Sequence, residues 1–440
     1  MSIVNYRFYN ARILTMKDNA PVFEGEVWVR GEKIIFAGTS EAAREYFNTH
    51  NSELIVWDEE IDCNRNLLMP TFKNAHTHSA MTLLRSRADD LPLQDWLTKQ
   101  IFPVEAKMTG EDIYYLTKLA ILDYVSGGTS ACFDMYLTPY TVADACRDAG
   151  FRCVQVSAIN NFSQTPELVE EWFNNINGKD PYNSYVIGCH AEYTCSEELL
   201  KKLSALVHKY NSRFFTHISE TKAEHEECIQ RHGLSPVQYL DSLGLFDFGG
   251  GGYHLVWADE KDMEVMAKRN LIAVSNPGSN TKLASGIAPI SDFMKHNIPV
   301  ALGTDGPASN NGLDMFKEMF LVTGLAKIRD MDASSVDAVE VMKMATVNGA
   351  KAMGLDDCDV LAEGKLADIV MIDMSKPEMH PVNNIVKNIV YAGNKSHVKM
   401  TMIHGNIKFR DGEFYIGENP QMLYDKAEEI KDRIDKELAI

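Results

Sequence analysis

Residues 67–80 read LLMPTFKNAHTHSA, a short apolar run that stops at two histidines two residues apart. Alternate residues of a strand share a face, so His76 and His78 point to the same side and can grip one metal ion. We therefore read LLMPTF as a buried strand with a pair of nitrogen ligands at its carboxyl end. The same texture recurs downstream in TSACFD (129–134), FRCVQVSA (151–158), SYVIGC (184–189), RFFTHI (213–218), YHLVWA (253–258), LIAVSN (271–276) and IPVALGTD (298–305). Segments of helix-permitting length separate these runs. Eight such units predict an α/β fold, a (β/α)8 TIM barrel spanning residues 67–354. No GxGxxG follows a strand, which argues against a doubly wound sheet.

The two ends of the chain have another character. YRFYNARILT (6–15) and GEVWVRGEKIIFAG (25–38) read as short strands with turns between them. GKLADIVMIDM (364–374), NIVKNIVYAG (384–393) and VKMTMIHGNIKFRDGEFY (398–415) repeat that pattern before a charged helix in LYDKAEEIKDRIDKELA (423–439). Neither end has a full core, so residues 1–66 and 355–440 are expected to pair into one small β-sandwich domain with a C-terminal helix.

A barrel gathers its chemistry just past the carboxyl ends of its strands. The polar residues there are His76, His78, Asp134, His190, His217 with Glu220, His254 and Asp305. His217 is the expected third nitrogen ligand, and Asp305 an oxygen ligand or base on the opposite wall. Three histidines and one carboxylate suit one divalent ion, Zn2+ first and Fe2+ second. Such an ion lowers the pKa of a bound water to about 7 and so supplies hydroxide at neutral pH. Glu220 follows His217 by three residues, so a helical turn would bring its carboxylate back over that water as a proton shuttle. In HEECIQRH (225–232) the two histidines are seven apart, which fits a solvated helical face better than a ligand pair. His50, His208, His296, His380, His397 and His404 fall in helices or in the small domain and carry no functional expectation.

Composition narrows the partners. The 440-residue chain carries a formal net charge of -19, and no GxxxxGK[ST] loop or basic stripe offsets it, so nucleic acid is not expected. No apolar run reaches the length of a membrane span, and MSIVNYRFYN lacks the pattern of a secretory signal, so a cytoplasmic location is expected. The eight cysteines are scattered without a CxxC pair, which points to reduced, buried thiols. No proline precedes a cysteine, which excludes the zinc deaminase class marked by PCxxC.

MPTFKNAHTHSAMTLLRSRADDLPLQDWL, HISE, SNPGSNTKLASGIAPI and VALGTDGPASNNGLDMF together resemble the amidohydrolases that deaminate methylthioadenosine and S-adenosylhomocysteine, in the branch that also holds the triazine hydrolases. The resemblance covers nearly the whole chain. It implies that His76, His78, His217 and Asp305 bind one divalent metal, that Glu220 and His254 assist the attacking water, and that the product is ammonia. It also implies substrate contacts: Glu105 to the ribose hydroxyls and His190 to the base. The expected substrate is a small-molecule purine nucleoside, of methylthioadenosine, adenosine or 5'-deoxyadenosine type. A guanine, pterin or other heterocycle deaminase, or a triazine-type hydrolase, is the alternative. The family's two-metal members carry a lysine at the end of the fourth strand. YVIGCHAEYT offers His190 there and no lysine, so one metal is expected. A homo-oligomer is also expected by resemblance.

The chain departs from that pattern in SAINNFSQTPE (157–167), which has no arginine where members acting on S-adenosylhomocysteine are expected to hold its carboxylate. Burying a carboxylate without a cation is costly, so neutral 5'-substituents are expected unless Arg85 or Arg87 reaches the pocket. Trp96 could wall the pocket but reads as packing.

Overall fold

The computed structural model describes residues 4–49, 56–87, 89–91 and 95–439. Eight parallel strands form the barrel: β6 (Phe72–Thr77), β7 (Thr129–Met135), β8 (Arg152–Val156), β9 (Asn183–Ala191), β10 (Phe214–Ile218), β11 (Gly250–His254), β12 (Leu271–Ser275) and β13 (Val300–Leu302), in sequential order. The Asp305 N–H donates to the His76 carbonyl at 3.0 Å, joining the two edges of this sheet. Ala75, Phe133, Val154, Phe215, Ile272 and Ala301 pack inside the strands, alternating small and large. Amphipathic helices cover the outside. One of them, Lys222–His232, starts at Thr221, whose hydroxyl accepts from the Glu224 N–H, and stops at Gly233 in the left-handed region.

The chain ends build a separate nine-stranded sheet. Its strands are β1 (Asn5–Ile13), β2 (Phe23–Arg30), β3 (Lys33–Thr39), β4 (Glu59–Asp62), β5 (Leu67–Pro70), β14 (Ile369–Ile372), β15 (Val398–Ile403), β16 (Asn406–Arg410) and β17 (Glu413–Phe414). Both ends contribute to one core, in which Phe8, Val27 and Ile34 join Ile369, Met400 and Met402.

Two strand assignments differ from the sequence reading. LLMP does not open the barrel; it forms β5, which pairs with β1 and β14 of the end sheet, and the barrel strand is Phe72–Thr77. The apolar run belongs to the end-sheet core, whereas the barrel strand tolerates Lys73 and Asn74 because Lys73 pairs with Asp368 and Asn74 with Thr304. The sixth barrel strand is GGGYH (250–254), not YHLVWA. A Cβ on Gly250 would lie 2.0 Å from the Phe214 carbonyl oxygen and one on Gly251 2.2 Å from that of Ile272. The neighbouring backbones come too close for the side chains by which a strand is normally recognised.

A buried charge cluster joins barrel and end sheet at the amino ends of the barrel strands. Asp368, just before β14, receives Arg152 of β8, Lys73 of β6 and the Ser130 hydroxyl of β7. Burial opposes its charge, but Arg152 and Lys73 hold the carboxyl down at about 2. Stability is thus concentrated at one barrel end and chemistry at the other. The terminal helix Pro420–Leu438 lies against the barrel helix Gly110–Ser126, with Arg433 paired to Asp112 and Asp435 to Arg87.

Candidate active site

At the carboxyl ends of the barrel strands, one ligand atom each from His76, His217, His254 and Asp305 falls within 4.8 Å of the others. His76 Nε2 lies 3.1 Å from His217 Nε2 and 3.4 Å from Asp305 Oδ1. His78 Nε2 reaches the same Asp305 oxygen at 3.2 Å. The sequence reading expected His76, His78, His217 and Asp305 as the ligands and His254 as an assisting group; the structure brings His76, His217 and Asp305 together with His254, while His78 reaches the cluster through Asp305.

Backbone carbonyls settle the imidazole tautomers. The Met135 carbonyl cannot donate, so His78 Nδ1–H donates to it at 2.6 Å; His217 Nδ1–H likewise donates to the His190 carbonyl at 2.6 Å. Each ring then turns its Nε2 inward, where it offers a lone pair once that nitrogen is unprotonated. His254 is oriented through Nδ1 by the Asn280 amide oxygen at 2.7 Å. His76 stacks on Tyr253 with ring centroids 3.8 Å apart, and its Nδ1 is buried without a partner. Asp305 accepts from the Gly306 N–H at 2.8 Å, the Ser279 hydroxyl at 2.6 Å and the Ser309 hydroxyl at 2.7 Å. Despite burial, His76 and His78 hold the Asp305 carboxyl well below its usual range, and Asp305 in turn lifts His78 to about 9 against the same burial. Inward lone pairs around a carboxylate kept ionised are the donor set of a divalent cation, and the residues fit one.

Local backbone strain serves this geometry. His254 (φ 73°), Asp305 (φ 58°) and Ser219 (φ 50°) are all left-handed without being glycine, a cost of roughly 1–3 kcal/mol each. Glu220 reaches the site through that turn at Ser219 rather than through the helical turn expected from its spacing, because the helix begins only after Thr221. Its Oε2 lies 3.8 Å from His254 Nε2, and its Oε1 accepts from Ser285 at 3.4 Å. Burial raises its pKa above the ordinary carboxyl value, which favours the protonated form.

These groups open into a cavity of about 290 Å3. Glu105 and His190 line it, as do Trp96, Tyr136, Phe162 and Tyr193. Burial pushes the Glu105 carboxyl up to about 7 against the opposing Tyr136 hydroxyl and His78. Burial also lowers His190 to about 4, leaving it neutral near pH 7. Neither Arg85, paired with Asp123, nor Arg87, paired with Asp435, lines the cavity. Asp134 stands behind the His-x-His pair and accepts from the Ser79 N–H.

Sequence reasoning missed Asn280, Ser279 and Ser309, although SNPGSN and TDGPASNN advertise them by their density of small polar residues. It also mistook the face of the helix at 222–232. His225 is buried and shares a hydrogen bond with Ser219 Oγ at 3.1 Å, and His232 stacks on Tyr239. His50 lies outside the described residues. No helix among the described residues is long and apolar enough to cross a membrane.

Fold and site define a barrel hydrolase with a centre built for a divalent metal. The chain belongs to the amidohydrolase family, whose model matches residues 67–408, and it is a hydrolase of C–N bonds. It is 36% identical to a 5-methylthioadenosine/S-adenosylhomocysteine deaminase of Thermoanaerobacter pseudethanolicus, over 98% of this chain and 100% of that protein. It is 38% identical to a 5'-deoxyadenosine deaminase of Methanothermobacter thermautotrophicus, over 83% of this chain and 87% of that one. Among solved structures it resembles a zinc-bound adenosine deaminase from Xanthomonas campestris, with a TM-score of 0.90 and 30% identity over 98% and 99% of the two chains.

Proposed function

We propose that this enzyme hydrolyses the exocyclic amine of an adenine nucleoside with a neutral 5'-substituent, releasing ammonia, and that zinc is its metal. The observation that carries the reading is the placement of Glu220: a carboxyl with a raised pKa, 3.8 Å from His254 and in one cavity with Glu105. Breaking an aromatic C–N bond by water requires the ring nitrogen next to the attacked carbon to gain a proton. Glu220 is the group positioned to give it.

His76, His78, His217 and Asp305 would hold the zinc. When bound, the ion lowers the pKa of a water to about 7 and makes it a nucleophile. Asp305 takes the proton from the attacking water and passes it to the departing ammonia, while His254, fixed by Asn280, orients that water. Ionised Glu105 accepts the two ribose hydroxyls at charge-assisted strength, and neutral His190 contacts the base.

The deaminases named above support the nucleoside class, and the cavity supports the neutral 5'-group. Among the described residues that line it there is no arginine or lysine, so the carboxylate of S-adenosylhomocysteine would enter without a cation. Ammonia release measured with methylthioadenosine, adenosine, 5'-deoxyadenosine, S-adenosylhomocysteine, adenine and guanine tests the reading. Fast turnover of the neutral nucleosides is expected. Activity confined to the free bases would overturn it.

A further inference from the structure

The carboxylate of Glu224 gathers two successive backbone N–H groups. Its Oε1 accepts from the Ser219 N–H at 2.8 Å and its Oε2 from the Glu220 N–H at 2.9 Å. A helix cap explains neither, since Thr221 is the N-cap of the helix and Glu224 its third residue, and a capping box would return to the N–H of Thr221 itself. Both bonds lie upstream of the N-cap, on the turn that leaves β10. Within that turn Ser219 adopts φ 50°, and its hydroxyl is held by His225 Nδ1 at 3.1 Å. The fork is buried, and so is Ser219 itself. A left-handed non-glycine residue relaxes unless its surroundings over-determine it, and here two consecutive helix side chains do so.

We infer that Glu224 is a positioning residue for the reaction, one that fixes the Ser219 turn and thereby aims the Glu220 carboxyl at the substrate ring. The inference rests on the assignment of Glu220 as proton donor. Glu224 belongs neither to the cavity lining nor to the cluster of His76, His217, His254 and Asp305. It acts through the direction in which the Glu220 Cα–Cβ bond leaves the backbone, and small errors in that direction are magnified at the end of a glutamate side chain.

The substitution Glu224→Gln replaces one acceptor oxygen by an amide that opposes a backbone N–H. Glu224→Asp keeps the charge but draws the fork back by one methylene, and it provides the second folded variant should the first destabilise the helix. For the zinc-loaded enzyme acting on the best neutral nucleoside, each variant is expected to lower kcat about 10- to 100-fold while KM stays within about threefold. Zinc content by elemental analysis is expected to match the parent, because the metal ligands lie outside the turn. On a Glu220→Gln background, assayed at high enzyme concentration, neither variant is expected to lower the residual rate further, since the group being aimed is gone. Where that residual rate falls below detection, the split between kcat and KM decides. A folded Glu224→Asp or Glu224→Gln enzyme that keeps parental kcat, or that loses the same factor on the Glu220→Gln background, would overturn the inference. A Glu220→Gln enzyme with parental kcat would instead overturn the proton-donor assignment beneath it.

Discussion

The Asp305 N–H donates to the His76 carbonyl at 3.0 Å, so the hydrogen bond that joins the last strand region of the barrel to the first also ties two residues of the metal cluster together. A metal held by these residues would be coupled to the fold at that seam. A ligand that binds only the folded state stabilises it by about 2.7 kcal/mol when its free concentration is 100 times Kd. Dialysis against a chelator is expected to abolish ammonia release and lower the thermal midpoint by several degrees, with both restored by one equivalent of zinc. An unchanged midpoint after metal removal would uncouple the seam from the ion.

Glu220→Gln preserves shape and removes the proton. It is expected to lower kcat by about 10^2- to 10^4-fold with zinc content unchanged, as read by steady-state ammonia release beside elemental analysis. Near-parental turnover would remove Glu220 from the mechanism.

Glu105 carries a pH signature. Burial raises its carboxyl from 4.5 to about 7, so it is protonated below that value and ionised above it. The ionised form accepts both ribose hydroxyls, and KM for nucleosides is expected to fall as pH rises through about 7. The stability sign is opposite: the unfolded chain releases this proton near 4.5 and the folded one near 7, so the group subtracts from stability as pH climbs between them. In Glu105→Gln the pH dependence of KM should vanish. Its persistence would assign the titration elsewhere.

The 5'-end offers a gain-of-function test. Phe162 stands 92% exposed at the cavity mouth. Phe162→Arg adds a cation to a cavity whose described lining has none, to meet the amino-acid carboxylate of S-adenosylhomocysteine. An exposed ion pair of about 0.2–1 kcal/mol should raise kcat/KM for that substrate, relative to methylthioadenosine, by up to about fivefold. Parental enzyme that already turns over the two equally would show that another feature accepts the charge.

Asp368 tests the joint between barrel and end sheet. Asp368→Asn leaves Arg152 and Lys73 buried without their counter-charge and is expected to cost about 3–5 kcal/mol of stability, measured by denaturant unfolding, with kcat at low temperature unchanged. Because its folded pKa is depressed from 3.8 to about 2, the stabilisation is complete above 3.8 and is lost as pH falls through about 2. A variant as stable as the parent would mean that the cluster contributes nothing net.

The sequence by itself determined the barrel, the pairing of the chain ends and the polar residues that gather at the carboxyl ends of the barrel strands. Those features follow from apolar periodicity and from polar residues at the ends of runs, both of which are local. It misplaced LLMP and YHLVWA for the same reason: local hydrophobicity does not say which core a run enters, and a strand made of Gly250, Gly251 and Gly252 has no side chains to read. Only the tertiary structure decided how the site is held. The carbonyls of Met135 and His190 that fix two imidazoles, the Asn280 amide that fixes a third and the Glu224 fork behind Glu220 all depend on which strands and helices become neighbours. Ligand identity is written in residue type, whereas ligand orientation comes from backbone groups that every residue carries, and their placement is set by packing alone.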